Sequence, residues 1–93
     1  MRTIKYGRHF KRDYRREISG VYGKKLEGLL RDALDLLSND RSLPLRYVDH
    51  ALAGEWAEHR DCHLRPNLVL VYRKPEPEIL ELVRLGSHSE LGL

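Results

Sequence analysis

The chain has few of the features that mark secreted or membrane proteins. Its 93 residues include one cysteine, Cys62, so no internal disulfide forms. A lone thiol is typical of proteins that fold in a reducing cytosol. No apolar run approaches the roughly 18 residues that a membrane-spanning helix needs, and the first five residues lack the apolar core of a signal peptide. The sequence therefore predicts a cytoplasmic protein with no membrane partner.

Length limits the size of the hydrophobic core. Hydrophobic residues make up 41% of the chain and charged residues 33%, a balance that argues against wholesale disorder. At this length one compact domain with a thin core is expected. We therefore expect residues 1–93 to form a single domain in which few buried positions hold polar groups.

The charges are distributed unevenly along the chain. Residues 1–31 contain ten lysines and arginines against three acids, whereas the remainder contains seven against eleven. The basic residues of the two predicted helices that we take as candidates for RNA or ribosome binding are Arg8, Lys11, Arg12, Arg15, Arg16, Lys24 and Lys25. Such asymmetry favours a basic face that binds a polyanion. A merely solvated helix surface is the alternative interpretation.

Hydrophobic spacing predicts two helices near the N-terminus. After a short strand over residues 2–6, Phe10, Tyr14 and Ile18 recur every four residues from Arg8 to about Ser19. Gly20 is a natural stop. Helical spacing then resumes at about Tyr22 and continues to the breaker residues 38–40. Two helices with so short a connection predict a helical hairpin.

Three strands are predicted in the second half of the chain, after a loop over residues 43–54. They cover about 59–64, 68–72 and 79–85, and the connections at 65–67 and 74–77 contain proline. Short connections of this kind favour an antiparallel meander. The order β-α-α-β-β-β predicts an α+β fold, with the helical hairpin packed on one face of an antiparallel sheet.

Four of the five histidines fall after residue 49. In the predicted strand at 59–64, alternation places His59, Asp61 and His63 on one face of the sheet. Unpaired buried charge is costly, so we expect the helical hairpin to cover the opposite face. His50 in the preceding loop and His88 after the last strand are in positions to fold over the same open face. Arg84 would add a positive charge there.

These residue types suit RNA cleavage without a metal. The reaction needs a base for the 2′-hydroxyl, an acid for the 5′-oxygen leaving group and a cation for the phosphate. Histidine serves both proton transfers because its ordinary pKa lies near the working pH, and the arginine fork matches phosphate oxygens. The spacing of His50, His59, Cys62 and His63 matches no strong zinc pattern. We therefore expect no metal and no other cofactor.

Each residue also has a structural interpretation. Single histidines such as His9 and His59 are more often exposed surface residues than catalysts. Asp61 beside Arg60 is equally compatible with half of an exposed ion pair, which contributes little to stability.

Five short motifs in the second half of the chain resemble one family of proteins. They are Asp49-His50, Leu52-x-Gly54-x-Trp56, Arg60-Asp61-Cys62-His63-Leu64-x-Pro66, Leu70-Val71-Tyr72 and Arg84-Leu85-Gly86-Ser87-His88. In this order and at these gaps, over roughly residues 43–92, they resemble the YafQ branch of the RelE/ParE toxin superfamily. Individually the motifs are short, but the combination is specific.

The resemblance implies a RelE-like fold and a function. Members are toxins of type II toxin–antitoxin pairs that enter the ribosomal A site and cut mRNA, leaving a 2′,3′-cyclic phosphate. It also implies partners, namely a cognate antitoxin, the ribosome and mRNA, with operator DNA bound only through the antitoxin complex. The matching site residues are His50, His63 and His88. Of these, we expect His88 to be the acid and His50 or His63 the base, with Arg84 on the phosphate.

Two departures from the family pattern affect the site. The acidic residue that the family has in the turn before the third strand is Asn67 here, and the tryptophan after it is Leu68. An asparagine orients a histidine but neither takes a proton nor stabilises an imidazolium by charge. Asp61 is the candidate to supply that carboxylate. The aromatic residue near the family's C-terminus is also missing from residues 90–93.

Two other functions remain open at this point. The first is a ParE-like non-enzymatic poison of DNA gyrase, which needs no set of histidines. The second is a plain nucleic-acid-binding module, which the basic N-terminal third alone supports.

Overall fold

A computed structural model describes all residues from Met1 to Leu93. The strands are β1 (Thr3–Tyr6), β2 (His50–Ala51), β3 (Arg60–Arg65), β4 (Leu68–Arg73) and β5 (Ile79–Gly86). The helices are α1 (Arg8–Ile18), α2 (Gly23–Ser38) and α3 (His88–Leu91), with short 3-10 turns at Leu45–Tyr47 and Gly54–Trp56. The predicted helices and strands are therefore confirmed, and β2 and α3 are additions to the predicted order. None of the helices is both long enough and apolar enough to cross a membrane.

The five strands form one sheet in the order β1-β5-β4-β3-β2. Neighbours from β2 to β5 run antiparallel, as the short connections predicted. β1 lies parallel to β5, so the sheet is mixed and the prediction of a wholly antiparallel sheet is wrong in this detail. A parallel pair needs a long connection between its strands, and here the whole segment from α1 to β4 provides it.

Apolar residues lie on both faces of the sheet, but the two faces differ in how they are covered. The α1–α2 hairpin covers one face, where its leucines pack against residues such as Cys62, Leu70 and Leu82 in a cluster of 15 buried residues. The other face holds a small cluster of three buried residues, Val69, Val71 and Leu91. The hairpin therefore does not cover this second face, where a smaller apolar layer that includes Leu52 and Trp56 packs against the sheet.

Strand β3 separates its side chains as the alternation predicted. Cys62 and Leu64 belong to the core under the helices. Asp61 and His63 occupy the alternate positions and point to the face that the helical hairpin leaves open. His59 lies just before β3 and stacks edge-on against Trp56, with ring centroids 5.4 Å apart. It is therefore not part of the strand.

A buried carboxylate ties α1 to β5. Asp13 is fully buried, and it accepts hydrogen bonds from Arg84 Nε at 2.6 Å and from the Leu85 backbone N–H at 3.0 Å. Arg16 Nη1 lies 3.1 Å away on the same helix. Burial alone raises the pKa of a carboxyl group, but these hydrogen bonds and the two guanidinium charges outweigh it, so the pKa of Asp13 is lowered. Asp13 is therefore held ionised inside the protein.

The turn between β1 and α1 requires a glycine. The Gly7 N–H donates to the Leu82 carbonyl at 2.9 Å. A Cβ at this position would lie 2.8 Å from that same oxygen, closer than real Cβ atoms come. The missing side chain lets α1 begin directly beside β5, where Asp13 reaches Arg84.

Candidate active site

Three histidines from three different elements meet on the open face of the sheet. His50 lies in β2, His63 in β3 and His88 at the start of α3. The ring centroids of His50 and His63 are 6.5 Å apart, and those of His63 and His88 are 5.0 Å apart, both in edge-on arrangement. We call these three residues the histidine cluster. The structure thus brings together the three histidines that were singled out in the sequence.

His50 is oriented by its backbone neighbour and by a carboxylate. Its Nδ1 lies 2.9 Å from the Val48 carbonyl oxygen, which only accepts hydrogen bonds, so Nδ1 carries the proton and Nε2 is left free. Asp61 is paired with His50 in the β2–β3 register, and its Oδ1 lies 3.1 Å from the same Nδ1. The hydrogen atom points at Val48, so the carboxylate acts on the ring mainly by charge.

Val48 adopts a backbone conformation that its side chain disfavours. Its φ of 49° and ψ of 43° lie in the left-handed region, which β-branched residues rarely enter. Such conformations cost about 1–3 kcal/mol and persist where the surroundings enforce them. Here the residue in this conformation, Val48, is also the one whose carbonyl group accepts the hydrogen bond from His50.

Asp61 lies buried beneath the histidine cluster. Its exposed fraction is 2%, and Oδ1 has no hydrogen-bond partner because the nearest donor is directed at Val48. Burial raises the pKa of Asp61, and the charges of His50, His63 and His88 counteract it only in part. Arg60 pairs with Asp49 rather than with Asp61. The interpretation of Asp61 as half of an exposed ion pair is therefore wrong.

Asn67 holds His88 at two points. Its Oδ1 accepts a hydrogen bond from the His88 backbone N–H at 3.1 Å and lies 2.9 Å from His88 Nδ1. An amide oxygen only accepts, so Nδ1 carries the proton and Nε2 is free. Asn67 therefore orients this ring without adding charge.

The segment that carries His88 is fixed to the buried carboxylate of α1. Ser87 caps α3 in a reciprocal pair with Glu90. Arg16 lies 3.1 Å from Glu90, donates to the Leu85 carbonyl at 2.9 Å and reaches Asp13 at 3.1 Å. Of the seven basic residues proposed for RNA binding, Arg16 is thus the one held by salt bridges, although all seven are exposed.

Arg84 is held by Asp13 rather than by the histidines. Its Nε and Nη2 lie 2.6 and 3.4 Å from the Asp13 oxygens. Its side chain is 20% exposed, and Nη1 makes no hydrogen bond to the protein. A role on a phosphate therefore rests on Nη1 alone, because the other nitrogens neutralise a buried carboxylate.

Sequence reasoning missed the support around Asp49. Tyr72 Oη donates to Asp49 Oδ1 at 2.5 Å, and Arg60 reaches the same carboxylate at 3.2 and 3.3 Å. These bonds hold the chain immediately before His50 against β3 and β4. The one available signal was the position of Asp49 next to a candidate catalytic histidine.

Two other features of the structure bear on where a functional site lies. An apolar groove of about 570 Å³ lies between β1, α1 and α2, and it contains no histidine. No group of three or more His, Cys, Asp or Glu residues is arranged to hold a metal ion. The histidine cluster is therefore the site with the clearest chemical capacity.

Comparison with protein families gives a match over nearly the whole chain. Residues 2–92 match the family described as the bacterial toxin of the type II toxin–antitoxin system, YafQ. A Haemophilus influenzae protein that bears the toxin name YafQ is 44% identical over 64 residues, which are 66% of this chain and 63% of that protein. The mRNA interferase toxin YafQ of Escherichia coli BL21-DE3 is 30% identical over 90 residues, which are 97% and 95% of the two chains.

Solved structures confirm the RelE-like α+β fold. A copper-bound mutant toxin from Helicobacter pylori superposes with a TM-score of 0.85 at 33% identity, covering 98% of this chain and 99% of that one. The Escherichia coli DinJ–YafQ complex contains a chain that superposes with a TM-score of 0.79 at 31% identity, with 98% of each chain covered.

Replacement of the buried carboxylate tests its energetic role. Because burial raises the pKa of Asp61 above the unfolded value of about 3.9, the ionised form destabilises the folded state as pH rises through the folded pKa. Asp61→Asn should therefore stabilise the protein at neutral pH by about 1 kcal/mol, which corresponds to a rise in Tm of about 4–8 °C. Thermal unfolding followed by circular dichroism measures this.

The pH dependence and a matched variant complete this test. The gain in Tm should shrink toward zero near pH about 3, which lies below the unfolded pKa of about 3.9, because the carboxyl is then protonated in both states. Asp35→Asn, a change at an exposed acid of α2, should leave Tm unchanged. A lower Tm for Asp61→Asn would contradict this prediction, because it would mean that native contacts stabilise the ionised carboxylate of Asp61.

Proposed function

Because the chain belongs to the YafQ family of bacterial toxins of type II toxin–antitoxin systems, we propose that it is an endoribonuclease that cuts mRNA on the ribosome. The observation that carries the proposal is the convergence of His50, His63 and His88 on one accessible sheet face, with His63 5.0 Å from His88 and 6.5 Å from His50. The name mRNA interferase borne by the Escherichia coli relatives supports it.

The partners of His50 and His88 favour different roles in the reaction. His50 has the Asp61 carboxylate 3.1 Å from Nδ1, which stabilises the imidazolium that forms when Nε2 takes the 2′-hydroxyl proton. His88 has the neutral amide of Asn67, which fixes the ring without a counter-charge that would retain the proton. His50 is therefore assigned as the base and His88 as the acid that protonates the 5′-oxygen.

His63 and Arg84 are assigned to the phosphate. His63 stands between the other two histidines along β3 and donates to a non-bridging oxygen when protonated. Arg84 contributes through Nη1, its nitrogen without a protein hydrogen bond. The bond from the 2′-oxygen to phosphorus forms as the bond from phosphorus to the 5′-oxygen breaks, which leaves a 2′,3′-cyclic phosphate and a 5′-hydroxyl.

The reaction is proposed to need no metal from the toxin. Imidazole is a ligand that copper and other late transition metals accept, and the Helicobacter relative is described as copper-bound. In this chain, however, the proposed base His50 and the proposed acid His88 each engage the protein through Nδ1 and keep Nε2 free for a proton transfer. A bound metal would occupy these same nitrogens and would compete with catalysis.

The basic residues of α1 and the start of α2 are proposed to dock on ribosomal RNA. Arg8, Lys11, Arg12, Arg15, Lys24 and Lys25 are exposed, and none forms a salt bridge. Free cations of this kind neutralise phosphates and make binding salt-dependent. Arg16 contributes less because Asp13, Glu17 and Glu90 already engage it.

A cognate antitoxin is proposed as the protein partner. The solved DinJ–YafQ complex shows a relative bound to its antitoxin. By analogy, the antitoxin holds this chain inactive, and the pair contacts operator DNA through the antitoxin. The toxin is then active only when it is released in the cytoplasm.

Expression of alanine variants tests the nuclease and its histidines. His63→Ala and His88→Ala should each lower cleavage about 10²-fold or more, because each removes a group that acts on the proton or the phosphate in the transition state. Wild type should arrest growth of a bacterial host and create new 3′ ends inside codons, measured by primer extension on a translated message. His9→Ala is the matched control, since His9 is an exposed histidine on α1 outside the cluster.

The alternatives give different results in the same experiment. Growth arrest that persists in both variants without new RNA ends would contradict the nuclease and point to a gyrase poison. Unchanged cleavage in both variants would contradict the catalytic role of the histidines but not the nuclease function.

Charge reversal tests the docking surface. Replacing Arg8, Arg12 and Arg15 by glutamate should weaken binding to ribosomes, and the remaining affinity should fall less steeply with salt. Co-sedimentation over a salt series measures both quantities. The same reversal at Lys5, Arg31 and Arg41, which are exposed elsewhere, is the control. Equal binding by the two triple variants would contradict docking through α1.

A further inference from the structure

A second concave surface adjoins the histidine cluster at the end of β3. It is a cleft of about 540 Å³ between α2, the 3-10 turn at Leu45–Tyr47 and the β3–β4 turn. We call it the arginine cleft, and its principal lining residues are Arg46, Tyr47, Val48, His63 and Arg65. His63 belongs both to this cleft and to the histidine cluster, so a ligand bound in the cleft would lie next to the histidine cluster.

The two arginines of the cleft have no acidic partner. Six other arginines lie within salt-bridge distance of a carboxylate, namely Arg2, Arg16, Arg31, Arg60, Arg73 and Arg84. Arg46 instead lies over the ring of Tyr47, 5.0 Å from its centroid, and Arg65 makes no side-chain hydrogen bond within the protein. Asp32 is the one acid that lines the cleft, and it forms no salt bridge. The cleft therefore offers two guanidinium groups to an anion.

An apolar edge accompanies these charges. Val48 lines the cleft and is 53% exposed, and Leu45, next to Arg46 in the chain, is 96% exposed. Nucleic-acid bases that leave a stacked helix pack on apolar and guanidinium surfaces of this kind. The volume lies within the roughly 300–1,000 Å³ of sites for small molecules, so one nucleotide fits.

We propose that the arginine cleft binds the RNA nucleotide on the 5′ side of the scissile bond, with Arg46 and Arg65 on the phosphate that precedes it. Val48 connects the cleft to His50, because its carbonyl accepts the Nδ1 hydrogen bond. His50 is the base assigned to the 2′-hydroxyl, and that hydroxyl belongs to the 5′ nucleotide. His88 stands beyond His63, on the side of the leaving group. This inference rests on the proposed nuclease function.

The first experiment separates binding from chemistry. Single-turnover cleavage of ribosome-bound mRNA is measured over a range of toxin concentrations for wild type, Arg46→Gln and Arg65→Gln. Each variant should raise the half-saturating concentration about tenfold and leave the maximal rate within about twofold, because a contact made equally before and during reaction affects binding alone. Arg41→Gln, an exposed arginine outside the cleft, should match wild type.

A modified substrate identifies the phosphate. A neutral methylphosphonate at the phosphate preceding the 5′ nucleotide should raise the half-saturating concentration of wild type by a similar factor. It should have little further effect on the double variant Arg46→Gln, Arg65→Gln, because the interacting partner is already gone. An equal effect of the methylphosphonate on wild type and double variant would overturn the assignment.

Other outcomes are also decisive. If wild type cuts the message but both arginine variants behave like wild type, the nuclease stands and the cleft is not its subsite. If those variants instead lose affinity for the antitoxin alone, the cleft is a protein contact and this inference is wrong. If wild type does not cut, the proposed function itself fails.

Discussion

Coverage of one face of the sheet by the helical hairpin is the constraint on which the site depends. Strand β3 must supply core residues to the hairpin at Cys62 and Leu64, so its alternate residues Asp61 and His63 point to the other face. That face is covered mainly by the small cluster around Val69, Val71 and Leu91. His50 is exposed on this face and His63 and His88 are half-buried, so water reaches the histidines, whereas Asp61 beneath them is buried. In the proposed reaction, the RNA approaches through the same opening.

Two buried carboxylates, Asp13 and Asp61, have different roles, one structural and one proposed to be catalytic. Asp13 is fully paired, with a lowered pKa, and through Arg84 and Arg16 it fixes β5 and the segment that leads to His88. Asp61 lacks a hydrogen bond at Oδ1 and has a raised pKa. Carboxylates whose surroundings move their pKa values in opposite directions commonly differ in function. The fold is stabilised by the first, and the proposed catalysis draws on the charge of the second.

Periodicity and short motifs were sufficient to predict much of this arrangement. The strand limits, the helical hairpin and the outward face of β3 follow from local spacing, and the family motif identified His50, His63 and His88 before their geometry was known. Contacts between distant residues were less accessible. The parallel β1–β5 pair, the capture of Arg84 by Asp13 and the exposed arginines beside His63 depend on tertiary packing, which spacing along one strand does not encode. The left-handed backbone conformation of Val48 could not be predicted from the sequence for the same reason.

In the proposed reaction, the histidine cluster activates the 2′-hydroxyl of the mRNA to attack the adjacent phosphodiester. The most direct measurement places a single 2′-deoxynucleotide at the cleavage position of a ribosome-bound message and compares it with the all-ribose message. We expect a 2′,3′-cyclic phosphate at the new end of the ribose message and no cleavage at the deoxy position. Cleavage of the deoxy message at that position, or a 3′-hydroxyl product from the ribose message, would contradict the proposed reaction.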